Sequence, residues 1–220
     1  MNKKIIAGLI SFFLITGCLS SCAPDEGEKP SAGSNEEAVT IRNTIDHAEE
    51  MISLAEAAKA AATPEGFESI LDNPDAKAAS YYGPHDIIVK REAHIDKMLS
   101  IRTTGKVEIN SSCKSVVLLG ADGGFTSAAA TDTIIIKGEN INADIKADCG
   151  EIHITGKNTT VHIHEGTVSQ ITARNTTAVI CNHTNAPVSV VLTNGSVVNV
   201  DGGHNYQLKD NLVTKGLTEK

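Results

Sequence analysis

The chain has 220 residues, room for one ordinary domain with appendages, and a formal charge of −8. That sign excludes a general nucleic-acid binder, which needs the opposite one. Aromatic residues make up 3% and Trp is absent, which argues against a ring-rich core or a sugar-stacking groove, whereas 18 glycines and an apolar fraction dominated by Ile, Val and Ala point to a turn-rich β architecture.

The first residues form an address. "MNKK" is a basic n-region and "IIAGLISFFLIT" an apolar stretch too short to span a bilayer as a stable helix. It runs into "ITGC" and "LSSC", both of which resemble the lipobox at which bacterial lipoproteins are lipidated on Cys and cut. Cys18 is the preferred lipidation site, because Gly17 precedes it and it abuts the apolar run; Cys22 is the alternative. Residues 1–17 are then the signal peptide. The resemblance implies a lipid anchor in the bilayer, and Leu19 (or Ala23) after the lipidated Cys, in place of Asp, implies the outer membrane. Residues 18–35 hold "APDEGEKPSAGSN", whose composition predicts a disordered acidic tether.

Residues 36–95 read as a helical segment with an entry strand. A helix is expected over 36–62, capped by Ser34 or Asn35, with Ile41, Ile45, Ala48, Ile52 and Ala55 on one narrow stripe. The stripe makes only a weak coiled-coil seam, so the helix is expected to pack on the edge or end of the main domain. Thr63-Pro64 starts a second short helix that ends near "DNPD". "AASYYGPHD" reads as a loop and "DIIVK" (86–90) as a strand.

From 96 to 203 short β-branched strands recur. Alignment on turn residues Asp122, Asn140, Asn158, Asn175 and Asn194 gives intervals of 18, 18, 17 and 19. Pairs spaced by two then fall into columns: Val116/Leu118, Ile134/Ile136, Ile152/Ile154, Ser169/Ile171 and Val188/Val190 before the turn. After it come Val107/Ile109, Phe125/Ser127, Ala143/Ile145, Val161/Ile163 and Ala178/Ile180. The expected fold is mainly β: a short parallel β-solenoid of about 18 residues and two strands per rung, preceded by the helical segment. Its roughly six rungs would give a column on the order of 29 Å at the spacing of paired strands. Amides at equivalent turns are expected to hydrogen-bond along the column. Residues 204–220 would cap the last rung or trail as a tail.

Two other coils fail. Stepping six from Ile152 reaches Asn158 and His164, which breaks the hexapeptide helix, and the calcium-binding nonapeptide occurs only in fragments at 120–124 and 200–203. The stretch "GEIHITGKNTTVHIHEG" (150–166) resembles a repeat of bacterial lipoproteins, G-x-I-x-I-x-G-x-N-x-x-V-x-I, whose β-solenoid domain has no known function. That resemblance implies an architecture and carries over no catalytic or ligand residue.

In this register His162 and His164 point outward on one strand, with Asp144 beside His162, Cys181 beside His164, and His183 in a turn level with Gly166. His153 faces the opposite side. His162, His164 and Cys181 are the candidates for a metal site, but parallel strand neighbours splay, so the expected reading is a solvated sheet face with no metal or cofactor. No Ser-His-Asp set can be placed, and no Thr ladder runs outside. Cys113, Cys149 and Cys181 fit no C-x-x-C motif, and their odd number leaves at least one thiol unpaired. The expected function is a non-catalytic structural or binding module of the cell envelope, adhesive among the options. Its partner would be an envelope or extracellular protein or glycan. The alternative is a small metal-dependent or hydrolytic enzyme on the outward histidines.

Overall fold

A computed structural model describes residues 33–193, 196–201 and 206–209. The signal peptide, Cys18, Cys22, most of the tether and most of the C-terminal segment lie outside the described residues. Two helices come first, α1 (Gly33–Ala57) and α2 (Pro64–Asp72). The strands follow in alternation: β1 (Ala78–Gly83), β2 (Ile87–Val89), β3 (Ile95–Thr103), β4 (Val107–Ile109), β5 (Cys113–Ala121), β6 (Phe125–Ser127), β7 (Thr131–Ile136), β8 (Asn142–Ile145), β9 (Cys149–Ile154), β10 (Thr159–Ile163), β11 (Val168–Arg174), β12 (Thr177–Asn182), β13 (Val188–Thr193), β14 (Val197–Asp201) and β15 (Tyr206–Lys209). Odd-numbered strands form an eight-stranded sheet and even-numbered strands a seven-stranded one, every pairing parallel. The result is a β-solenoid of about seven turns with a spacing of about 18 residues, rather than six.

The core lies between the sheets. Leu118, Ile136, Ile154 and Ala173 of the odd sheet face Ile109, Ile145, Val161 and Ile180 of the even sheet, all fully buried. No rung could bury these side chains alone; stacking gives each a neighbour above and below. The turns are tied along the column as the sequence suggested. Asn140, Asn158 and Asn175 have φ of 59°, 56° and 48°, a region that Asn tolerates better than branched residues do. Asn158 Nδ2 donates to Asn140 Oδ1 at 3.2 Å, and Thr177 Oγ1 donates to Asn158 Oδ1 at 3.1 Å.

That last contact exposes a register error in the aligned columns. The partner of Asn158 is level with Thr177, not Asn175. Ile152 and Ile154 pair with Ile171 and Ala173, not with Ser169 and Ile171, and on the next rung Val190 pairs with Ile171. Val161 and Ile163 pair with Ile180 and Asn182, not with Ala178 and Ile180. The rung here is 19 residues, not the aligned 17, and it exceeds the 18-residue period by one extra residue in a turn. Three residues separate Ile145 from Cys149, but four separate Ile163 from Val168, although both ends are paired. Gly166 accommodates the insertion at φ 74°, where a Cβ would lie 2.5 Å from the Ala147 carbonyl carbon. Thr167 then clips the turn below by donating from N and Oγ1 to Asp148 Oδ1 at 2.8 and 2.9 Å, which holds the Asp148 carboxyl below its ordinary range.

The front end also differs from expectation. The loop expected at "AASYYGPHD" contains β1, so the column begins one rung earlier. Tyr81 is buried against Phe67 (ring centroids 6.2 Å), and its hydroxyl accepts from the His85 backbone N–H at 3.1 Å. Helix α1 stops at Ala57, short of the expected residue 62, because Ala61 joins the edge of β1 instead: its N–H donates to Ser80 O and its carbonyl accepts from Tyr82 N. Helix α2 begins as the sequence suggests, with Thr63 Oγ1 accepting from Gly66 N at 3.1 Å. Its last carbonyls take the Lys97 ammonium, which donates to Leu71 O and, at 2.6 Å, to Asn73 O. Phe67 of α2 joins the solenoid core, so this helix covers the first rung.

Helix α1 lies across the outer face of the odd sheet rather than on an edge or end. Ala48, Met51, Ile52 and Ala55 pack on Val117 and Ile135, and Ile45 packs on Val191. The apolar stripe is thus taken by a sheet and not by a second helix. The Ile41 side chain lies outside the described residues. The direction is set by contacts in order: Ile45 at β13, Glu49 paired with Arg174 of β11, Glu56 paired with Lys137 after β7, and Ala55 O accepting from Ser100 Oγ of β3. The helix therefore runs from the last rungs towards the first. In the C-terminal segment, β15 extends the odd sheet past β13.

Candidate functional site

Covering one sheet leaves the other open. On the outer face of the even sheet the register stacks Glu108, Thr126, Asp144, His162 and Cys181 in one column. Each occupies an outward position because its neighbours on the strand, such as Val161 and Ile163, point into the core. His164 and His183 flank this column. The His183 N–H donates to Ile163 O at 2.9 Å, which places His183 level with His164 rather than with Gly166.

Three imidazoles therefore meet on the open face. The rings of His162 and His164 have centroids 5.7 Å apart, those of His162 and His183 5.7 Å, and those of His164 and His183 5.0 Å, all within 12° of parallel. His162 Nδ1 lies 3.4 Å from His183 Nε2, and His164 Nε2 lies 3.2 Å from Asp144 Oδ1. Asp144 is level with His162, as expected, but its carboxylate reaches diagonally to His164. Both members of that pair are partly solvated, so its direct contribution to stability is about 0–1 kcal/mol.

The expected candidates are thus partly regrouped. His162 and His164 belong to the cluster. Cys181 sits beside His162, not His164, and only 6% of it is exposed. His183 was missed; a rung of 19 residues in place of 17 would have revealed it, and the extra residue at Gly166 was the available signal. The other described histidines lie apart. His153 is on the opposite sheet, buried under α1, with its Nε2 3.1 Å from Glu151 Oε2. The hydrogen bond from His153 holds the Glu151 carboxyl below its ordinary range; burial opposes this, and His153 and His47 add favourable charge. His94 sits by Ser112 and Asp96, and His47 by Glu50, at the surface.

Cys113 and Cys149 are buried thiols without a disulfide. Burial raises both, and it pushes Cys149 up to about 12 with nearby Cys113 adding to the effect, so neither is a nucleophile at neutral pH. Two open grooves lie elsewhere. One of about 780 Å³ at the first-rung end is lined by Leu71, Arg91, His94, Lys97 and Lys114. Its Arg91 is held by Glu68 and by Asp72, the latter at 2.9 Å. The second, of about 630 Å³, runs beside Tyr82, Arg102 and Asn140. The histidine cluster borders neither.

Fold and face together define a parallel β-solenoid with one sheet roofed by a helix and the other, among the described residues, without one. The chain matches no protein-family description, no curated protein and no solved structure.

Proposed function

We propose that this chain is a lipid-anchored envelope lipoprotein whose solenoid acts as a non-catalytic binding module, displaying the open face of the even sheet to a protein or glycan of the envelope or the extracellular space. The observation that carries the reading is the unequal treatment of the two sheets. Val117, Ile135 and Val191 lie under α1, whereas no described helix covers the other outer face, where Asp144, His162 and His164 stand on the same sheet as an exposed Ile88. A stacked-repeat fold presents such a face as an extended, rigid surface on which a partner can bind. Lipidation at Cys18 supplies the anchor in this reading, with the outer membrane as the address. No helix among the described residues is long and apolar enough to cross a membrane.

The direction of α1 gives the module an orientation. Twelve residues precede Ile45 in the helix, roughly 18 Å at the helical rise, and they extend beyond the contact with Val191 near the last rung. In this reading a tether joined there attaches the anchor nearest the last rungs, at the end of the column opposite α2.

Cell fractionation tests the anchor, and protease shaving of intact cells tests the display. The full chain is expected to sediment with membranes and to take up labelled palmitate, Cys18→Ala to lose the label, and Cys22→Ala to keep it. A soluble wild-type chain would sink the anchored reading. A hydrolytic activity of the purified chain that is lost in His162→Ala/His164→Ala would replace the binding module with an enzyme.

A further inference from the structure

We propose that His162, His164 and His183 form a binding site for a divalent transition-metal ion of the zinc class on the open face, with Asp144 as the residue that positions His164. This inference uses the register of β10 and β12 and does not depend on the lipid anchor or on any envelope partner.

Three of the chain's eight histidines converge on this patch. His162 is on β10 and His164, at i+2, lies just beyond its end; His183, just past β12, is level with His164. Neutral imidazole suits zinc, nickel and copper, and a Zn–N bond of about 2.0–2.1 Å places two ligand nitrogens of a tetrahedral ion about 3.3–3.4 Å apart. His162 Nδ1 and His183 Nε2 stand 3.4 Å apart in near-parallel rings, so the two nitrogens are close but reach a common ion only after the rings turn.

The second observation is the carboxylate. Histidine ligands commonly direct the nitrogen away from the metal at a carboxylate, which fixes tautomer and ring orientation. His164 Nε2 already faces Asp144 Oδ1 at 3.2 Å, leaving Nδ1 as its donor atom. The donor set is therefore His162 Nδ1, His164 Nδ1 and His183 Nε2, with a fourth position left for water or for a donor on a partner.

The rings are parallel, and as they stand no group of three or more His, Cys, Asp or Glu side chains among the described residues could hold a metal ion. Coordination requires the imidazoles to turn about χ2. His164 and His183 are exposed and His162 is half-buried, so these turns meet no core packing, and exposed side chains reorient on fast timescales. Cys181 is not in the set: its side chain is buried beside His162.

The test titrates the full chain in detergent with ZnCl2 by calorimetry, and with CoCl2 followed by visible absorption. One equivalent is expected to bind, with Co2+ bands of a nitrogen-rich tetrahedral site. Replacing His162, His164 or His183 singly by Ala should weaken binding by at least the roughly tenfold that loss of a supporting partner costs. Asp144→Asn should weaken it about tenfold while keeping the Co2+ band shape, which a merely structural role would not produce. His85→Ala should change nothing. All these positions are on the surface, and circular dichroism checks that the variants fold. Wild-type binding no tighter than that of the triple His→Ala variant overturns the site, as does Zn2+ binding that His85→Ala reduces as much as His164→Ala does. Either failure leaves the fractionation test of the anchored module untouched.

Discussion

The two sheets receive the same inward treatment and opposite outward ones. In both, alternate residues are buried in a shared core. On the outside, the odd sheet presents Val117, Ile135 and Val191 to α1, whereas the even sheet presents Asp144, His162 and His164 to solvent. Strand alternation fixes which residues face out, but what covers them is decided by a helix far away in the chain. One sheet is thus built for stability and the other is free to carry function.

The sharpest way to break this comparison is to remove the roof. Deleting residues 33–57 would expose Val117, Ile135, Val191, Met98 and Leu119 together. At about 1.5–3 kcal/mol for each large apolar side chain returned to water, the loss approaches the whole stability of an ordinary domain. The expected outcome is an aggregating or unfolded chain, seen by light scattering and circular dichroism. A folded, monomeric deletion variant would show that α1 is an ornament.

A finer cut compares single outward positions. Ile135 faces away from the core but is fully buried under α1, so Ile135→Ala should behave as a core truncation and cost about 2–5 kcal/mol. Thr160, outward and half-buried on the even sheet, should cost under about 1 kcal/mol when changed to Ala. Urea unfolding of both variants decides it; equal losses would mean that the open face is covered by something else in solution.

Much of this was legible in the sequence, and the failures are instructive. The rung period and the inward pairs of β5, β7 and β9 follow from Ile and Val spaced by two, because that spacing has one physical meaning in a strand. The apolar stripe of α1 was visible too, but a stripe does not say whether a helix or a sheet will cover it. Strand β1 was hidden because Gly83-Pro84 and two tyrosines look like a loop, while the burial of Tyr81 depends on Phe67 of a separate helix. The histidine cluster was lost to the alignment of Asn158 with Asn175, which gave a rung of 17 where the extra residue at Gly166 makes it 19. A slip of two keeps every side chain on its proper face, so core patterning raised no objection.

The covered sheet should also be the acid-sensitive one. The Glu151 carboxyl is held low by the hydrogen bond from His153 under α1. A depressed carboxyl contributes stability that is fully present above its unfolded value, about 4.3, and is lost as pH falls through that value towards the lower folded one. Thermal melts between neutral and acidic pH should show this loss, and Glu151→Gln should flatten it. An unchanged acid slope in Glu151→Gln would place the sensitivity elsewhere. Under the same logic of burial, Cys113 and Cys149 should resist iodoacetamide until the chain unfolds, read by mass spectrometry.

The smallest effect asks what holds the roof in place. Glu49 pairs with Arg174 and Glu56 with Lys137, and these contacts join the helix to two different rungs. Both pairs are partly exposed, so their attraction is screened by water and salt, and each should contribute about 0–1 kcal/mol. Burial of Ala48, Met51, Ile52 and Ala55 is the larger force. The charges fix which way the helix lies along the column, since the apolar stripe alone would tolerate sliding. Glu49→Ala/Glu56→Ala should therefore lower the melting temperature only slightly, and raising the salt should shrink the difference from wild type. It should also loosen α1 more than the sheets, as faster amide exchange confined to the helix. If the double variant instead loses as much stability as Ile135→Ala, the helix is held by charge rather than by burial. The contrast between a roofed sheet and an open one would then become a difference in electrostatics.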